Sequence, residues 1–246
     1  MASTEGDPPR EGSPVLSVLV YTRTAGFRHD SIPAGIEAMR AIGKEARWHV
    51  ESTETPQDFS EENLARFAVV VFLNTTGDVL DKDQEQAFER YIRGGGGYVG
   101  IHSASDTEYD WGFYRELVGA YFRRHPPVQQ ATVLVVDKDH PATRGLPERW
   151  VRTDEWYNFR ALPGAEHHIL ARLDTESYSG SDHPEGHPVA WWREIDRGRA
   201  LYTAGGHTRE SFEEPLFRLH LRGAILWAAG ISDSPDDAEP RRVVRP

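Results

Sequence analysis

The residue types best suited to chemistry stand at the end of a short apolar run, GGGGYVGIHSASD, from Gly94 to Asp106. Tyr98 to Ile101 reads as a strand. His102, Ser103, Ala104, Ser105 and Asp106 then follow with no apolar cover. A buried strand that ends this way presents its polar residues at its carboxyl edge, where open parallel sheets bind ligands. Gly100-Ile101-His102-Ser103-Ala104 also has the layout of a nucleophile elbow, with small residues flanking a projecting one. The projecting group is an imidazole, suited to proton transfer, metal ligation or hydrogen bonding to hydroxyls. The competing role is a strand-end histidine satisfied by a backbone carbonyl. Ser103 offers a hydroxyl nucleophile, but no local residue identifies its base.

Two further histidines share this setting. His207 follows an apolar run and two glycines and precedes Thr208 and Glu210, so a ligand can approach the amides that open the next helix. His29 lies in GFRHDS, the loop after the first apolar run. Its neighbour Arg28 is a candidate for binding an anion or a hydroxyl. If the first, fourth and last strands of the sheet are neighbours, the three imidazoles converge. Asp154 and Glu155 precede Trp156 and Tyr157, and acids beside rings suit sugars, whose C–H faces stack while their hydroxyls donate. The competing role is a half-exposed strand, the better reading for Asp154. Of Asp106, Glu108 and Asp110, at least one is expected to cap a helix. His125 and His140 precede prolines and read as rigid turns. The segment DHPEGH, 182–187, has metal-binding residue types, but there is no HExxH and no His-x3-His on a helix. Neither GxGxxG nor GxxxxGK[ST] occurs, which disfavours dinucleotide and P-loop chemistry.

The bulk of the chain narrows the choice. It has 246 residues, 38% hydrophobic and 27% charged, enough for a packed core. A net charge of −11 argues against a nucleic-acid groove. The absence of cysteine removes disulfides, thiolate catalysis and Cys-ligated zinc. The polar start MASTEGDPPREGSP is unlike a secretory signal, and no apolar run approaches a membrane span, so a cytoplasmic protein without membrane contact is expected. Self-association is left open.

The elements that must position these residues alternate. VLSVLVYT (Val15 to Thr22), a weaker run from Trp48 to Thr53, VVVFL (Val69 to Leu73) and Tyr98 to Ile101 read as strands. Between them lie a helix capped by Ser31 with Pro33 in its first turn, a short helix near Ser60, and LDKDQEQAFERYIR, stopped by Gly94. This predicts an α/β fold: a flavodoxin-like, doubly wound, mostly parallel sheet with helices on both faces. Residues 109–119 read as helix and 131–136 as strand. Thr153 to Phe159, His168 to Leu173 and Val189 to Ile195 read as antiparallel additions at the sheet edge. Ala200 to Ala204 is the last strand, and a helix runs from about Glu210 to Ala229. One domain, 15–230, is expected between a disordered tail, 1–14, and a polar tail, 231–246.

The runs GFRHDSI, NTTGDVLD, GGGGYVGIHSASDTEYDW, DEWYNF and GGHTRESFEEPLF, in that order, resemble the ThuA-like (trehalose utilisation) family over about Val15 to Gly230. That family resembles class I glutamine amidotransferases in fold. There a cysteine occupies the elbow and a histidine follows a late strand. By position His102 looks like the replaced cysteine and His207 like the retained histidine. Without a thiolate, glutamine hydrolysis by that route is excluded. The resemblance implies a role in disaccharide or keto-sugar metabolism and gathers His29, His102, Asp106, Glu155 and His207 into one expected pocket. Two readings follow. In the first the chain is an enzyme on a small-molecule carbohydrate: His102, His207 and Glu155 do the chemistry as acid and base or around a divalent ion. His29, Arg28, Asp106, Trp156 and Tyr157 then bind the substrate. In the second it is a non-catalytic carbohydrate-binding protein, with Trp111, Trp156, Tyr157 and Trp191 stacking on sugar rings.

Overall fold

The computed structural model describes residues 16–231. Both expected tails, apart from Ile231, and Val15 of the expected first strand lie outside the described residues. The first half alternates as the sequence predicts: β1 Ser17–Tyr21, α1 Ile32–Ala46, β2 His49–Thr53, α2 Glu61–Leu64, β3 Val69–Leu73, α3 Lys82–Arg93 and β4 Gly97–Ile101. After it come α4 Gly112–Val118, β5 Phe122–Arg124, β6 Gln129–Val135, β7 Arg149–Asp154, β8 Asn158–Phe159, β9 His168–Leu173, β10 His187–Ile195, β11 Gly198–Thr203 and α5 Pro215–Ala228.

The main sheet has nine strands in the order β2-β1-β3-β4-β11-β10-β9-β6-β7. The first five are parallel, in the 2-1-3-4-5 arrangement of flavodoxin-like sheets. The last four continue it antiparallel from β11. β3 and β4 are buried along their whole length, as expected of central strands covered on both faces. Their register fixes the site: Leu73, Ile101 and Thr203, the last residues of β3, β4 and β11, lie side by side. The three strands therefore release their following loops at one edge of the sheet.

Several local expectations change. β3 stands between β1 and β4, so the first and fourth strands are not neighbours. Ser31 occupies the cap position of α1, but its hydroxyl makes no cap and donates instead to the Gly206 carbonyl, 3.2 Å away. Gly94 ends α3 in right-handed conformation, and Gly95, at φ +117°, makes the turn. α3 starts at a capping box: the Asp81 carboxylate accepts from the Gln84 amide, and the Gln84 side chain accepts from the Asp81 amide. The helix expected from Glu210 is broken. A 3-10 turn, Glu210–Phe212, precedes α5, which starts at Pro215 because proline has no N–H to continue an earlier helix. No helix among the described residues is long and apolar enough to cross a membrane.

Candidate functional site

His102 is the first residue beyond β4, in left-handed backbone at φ +50°. A non-glycine residue there costs about 1–3 kcal/mol and persists only where neighbours hold it. The Tyr202 hydroxyl donates to its carbonyl at 2.8 Å, and the Tyr114 hydroxyl to that of Ala104 at 2.7 Å. The ring is fully buried, and Nδ1 lies 2.9 Å from the Ala204 carbonyl. A carbonyl only accepts, so Nδ1 donates to it and Nε2 faces the interior of the site.

His207 reaches the same place from β11. Asp154 accepts the amides of Gly206 (2.8 Å) and His207 (3.0 Å) and the hydroxyl of Ser211 (2.9 Å), and it pairs with Arg152 at 3.1 Å. The paired glycines are required here. A Cβ on Gly205 would stand 2.4 Å from an Arg152 nitrogen, and Gly206 has φ +114°. Asp154 also accepts the amide of Glu155. The expected extended run from Thr153 to Phe159 breaks between β7 and β8, and this break turns Glu155 into the cluster.

His29 arrives on the loop after β1, which lies on the loop after β3. The Thr76 hydroxyl donates to the Phe27 carbonyl, and the Thr76 carbonyl accepts the Ala25 amide. The three imidazoles therefore converge although β3 intervenes between β1 and β4. Asn74, also left-handed, closes the floor by donating to the Gly206 carbonyl and to Ser31. The His29 ring packs edge-on against those of His102 (4.9 Å) and His207 (5.2 Å), with Nδ1 3.3 Å from the Ser103 hydroxyl.

One donor atom each of His29, His102, Glu155 and His207 lies within 4.8 Å of all the others. His207 Nδ1 is 3.2 Å from His102 Nε2 and 3.1 Å from Glu155 Oε2, and His102 Nε2 is 3.6 Å from the same oxygen. Burial, then the charges of His102 and His207, pushes His29 down to about 3. Burial raises Glu155, but hydrogen bonds and charge from His102 and His207 outweigh it and hold it at about 2. Burial alone would lower His207; the hydrogen bond and charge of Glu155 prevail and raise it. At neutral pH the cluster thus offers a neutral imidazole at His29 and an ionised carboxylate at Glu155.

Of the other expected residues, Tyr157 forms a wall, its ring 4.1 Å from that of His102. Three are not brought into the cluster. Arg28 is exposed and pairs with Glu54 at 2.6 Å. Asp106 accepts the Tyr109 hydroxyl. Trp156 is core, its indole donating to the Gln129 carbonyl. Trp111 and Trp191 are buried too, so of the four rings expected to stack on sugars Tyr157 is the one placed against the cluster. Glu108 caps no helix; it accepts the Val79 and Leu80 amides. In the 182–187 segment, His183 accepts from the Phe159 amide and His187 donates to the Tyr157 carbonyl, both away from the cluster. The sequence missed His125, whose Nδ1 lies 2.9 Å from Glu155 Oε1. A histidine before two prolines carries no signal for that contact.

Because its pair with Glu54 is exposed and its bond to the Thr22 carbonyl is long at 3.4 Å, Arg28→Ala is expected to change stability by less than about 0.5 kcal/mol. Urea denaturation checks this, and a larger loss would mean that the Glu54 pair holds the His29 loop.

A protein-family model described as ThuA, trehalose utilisation, matches residues 17–228. No curated protein matches the chain. Among solved structures, a ThuA-like protein from Bacteroides uniformis aligns with a TM-score of 0.73 at 22% identity, over 90% of this chain and 95% of the other. One from Parabacteroides merdae gives 0.70 at 18%, over 89% and 92%. A GMP synthase subunit from Thermoplasma acidophilum gives 0.53 at 14%, over 88% and 95%. At such identities the likeness is one of fold.

Proposed function

The chain belongs to the ThuA, trehalose utilisation, family, and on that premise we propose that it is a cytoplasmic enzyme acting on a disaccharide or keto-sugar at a divalent-cation centre of His29, His102, Glu155 and His207. The observation that carries this reading is the mutual approach of four donor atoms from four separate segments. Ligands at about 2.1 Å from a tetrahedral ion stand about 3.4 Å apart. The three separations among His102, Glu155 and His207 are 3.2, 3.1 and 3.6 Å. The surroundings support the same reading. Metal-binding histidines commonly give their second ring proton to a carbonyl or carboxylate, as His102 gives its proton to Ala204.

A bound cation would polarise a carbonyl or hydroxyl oxygen of the sugar. The protein's own groups do the rest. Tyr157 covers one side of His102. His125, exposed and with Nδ1 2.9 Å from Glu155 Oε1 and 3.0 Å from the Pro126 carbonyl, stands where a proton can pass to or from the substrate. Trehalose and sucrose and their 3-keto forms are the substrates to try.

The test is metal analysis of the purified protein together with product analysis on those sugars. About one divalent ion per chain is expected, with turnover of at least one sugar, and both lost in His102→Ala. Turnover that survives in His102→Ala and in His207→Ala, or a protein that takes up no ion from added zinc, manganese or magnesium, would overturn the reading.

A further inference from the structure

A second concavity, of about 670 Å³, lies between the exposed side of α4, the loop 160–167 and Arg193 of β10. Its lining brings together Arg115, Arg160, Arg193, His167 and Tyr109. None of the four metal-type residues of the candidate centre takes part.

The three guanidiniums have hydrogen-bonding capacity to spare. Among the described residues, Arg115 makes no side-chain hydrogen bond or ion pair. Arg160 donates through Nε to the Phe122 carbonyl and lies 4.0 Å over the Tyr109 ring. Arg193 donates through one terminal nitrogen to the Glu116 carbonyl, while its Nε is buried without a partner among the described residues. No carboxylate pairs with any of the three among the described residues, although Glu116 and Glu166 line the same concavity. In a chain of net charge −11, three guanidiniums facing two carboxylates make a local excess of positive charge. Arginine forks match oxyanions, binding them through paired N–H groups.

His167 adds a feature that a bare anion does not need. Its Nε2 donates to the Glu116 carbonyl at 3.2 Å, so Nδ1 is an acceptor, and Nδ1 is buried without a partner among the described residues. Burial, then the charge of Arg193, lowers this histidine. The ring fits because residue 119 is glycine: a Cβ there would lie 2.7 Å from His167 Nε2. An orphaned acceptor beside spare donors calls for a ligand that carries a hydroxyl as well as a charge.

We propose that this concavity binds an anionic sugar: a polyol bearing a phosphoryl or carboxylate group, with the oxyanion on Arg115 and Arg193 and a hydroxyl donating to His167 Nδ1. The two kinds of anion share the guanidinium chemistry, and binding measurements separate them. The site stands independently of whether the histidine cluster holds a cation.

Isothermal titration calorimetry of the full chain with glucose 6-phosphate, gluconate, inorganic phosphate and glucose tests it. Glucose 6-phosphate or gluconate is expected to bind, and whichever does so identifies the anion. Its affinity is expected to fall at least about tenfold in Arg115→Gln and in Arg193→Gln. Glucose is expected not to bind. Arg115 is exposed, so Arg115→Gln remains informative even if the half-buried Arg193→Gln fails to fold. Absence of binding by both anionic sugars, affinity unchanged in both variants, or inorganic phosphate binding as tightly as glucose 6-phosphate would overturn the proposal.

Discussion

Asp154→Ala is expected to destabilise the protein by about 3–5 kcal/mol, the cost of breaking a buried ion pair from one side. Asp154 is fully buried, and its partner Arg152 is nearly so. The substitution strips the bonds from the amides of Gly206 and His207 and from the Ser211 hydroxyl. Arg152 keeps a second carboxylate, Glu214 at 3.2 Å, which places the loss toward the lower end of the range. Asp154→Asn, which retains an acceptor oxygen but not the charge, should cost less. The same carboxylate orients the loop that carries His207, so Asp154→Ala should also abolish cation uptake and sugar turnover under conditions where the fold survives. Guanidinium chloride unfolding of the three proteins measures the ranking. A loss below about 1 kcal/mol in Asp154→Ala would show that the loop after β11 is held by something else.

This residue illustrates what the sequence carries about the site. Runs such as VVVFL, with no polar interruption, announce central parallel strands, and the small polar residues behind Ile101 announce the edge where ligands gather. His102 was legible because its flanking residues are small enough for the strained turn that it makes at φ +50°. Glu155 was legible by residue type but not by mechanism. The break that turns it inward follows from Asp154 capturing the amides beyond β11, about fifty residues along the chain. No local pattern encodes such a capture. For the same reason Arg28, one residue from His29, reads as a ligand group and turns out to face Glu54. Trp156 reads as a sugar platform and turns out to fill the core. Adjacent residues on a loop or strand end face different ways, and only the packed partners decide which way.

Stability is expected to fall steeply as pH drops from about 6.5 toward 4, and the cause lies in buried neutral histidines. Burial lowers His140, His187 and His220 to about 4 and His29 to about 3. The geometry gives each of the first three a reason to refuse a proton. His140 Nδ1 already accepts the Ala142 amide. His187 donates to the Tyr157 carbonyl through Nε2, and its Nδ1 is 2.6 Å from the Tyr178 hydroxyl. His220 donates to the Ala142 carbonyl, and its other nitrogen is sealed away without a partner among the described residues. The unfolded chain protonates these side chains near pH 6.5, whereas the folded chain does not, so the unfolded state gains protons and stability is lost as pH falls through that window. At about 1.4 kcal/mol per pKa unit, four such groups contribute several kcal/mol, comparable to the whole stability of a domain.

Several groups oppose this, among them Asp106 and Glu214, which burial raises. Burial raises Glu108 to about 8, so its share of stability is present below about 4.5 and lost as pH rises through 8. Glu155 raises His207, whose share is likewise present at low pH and lost above its raised value. Glu155 itself, held at about 2, withdraws its contribution only between about 4.5 and 2. The deeply lowered buried histidines outweigh these and leave the net slope downward on acidification. Urea midpoints at pH 7, 6, 5 and 4.5 should decline throughout. His220→Asn, whose amide can still donate to Ala142 but takes up no proton, should flatten that decline by close to one proton's worth. A midpoint constant between pH 7 and 4.5 would mean that these imidazoles are protonated inside the fold, with His140 Nδ1 then unable to accept the Ala142 amide.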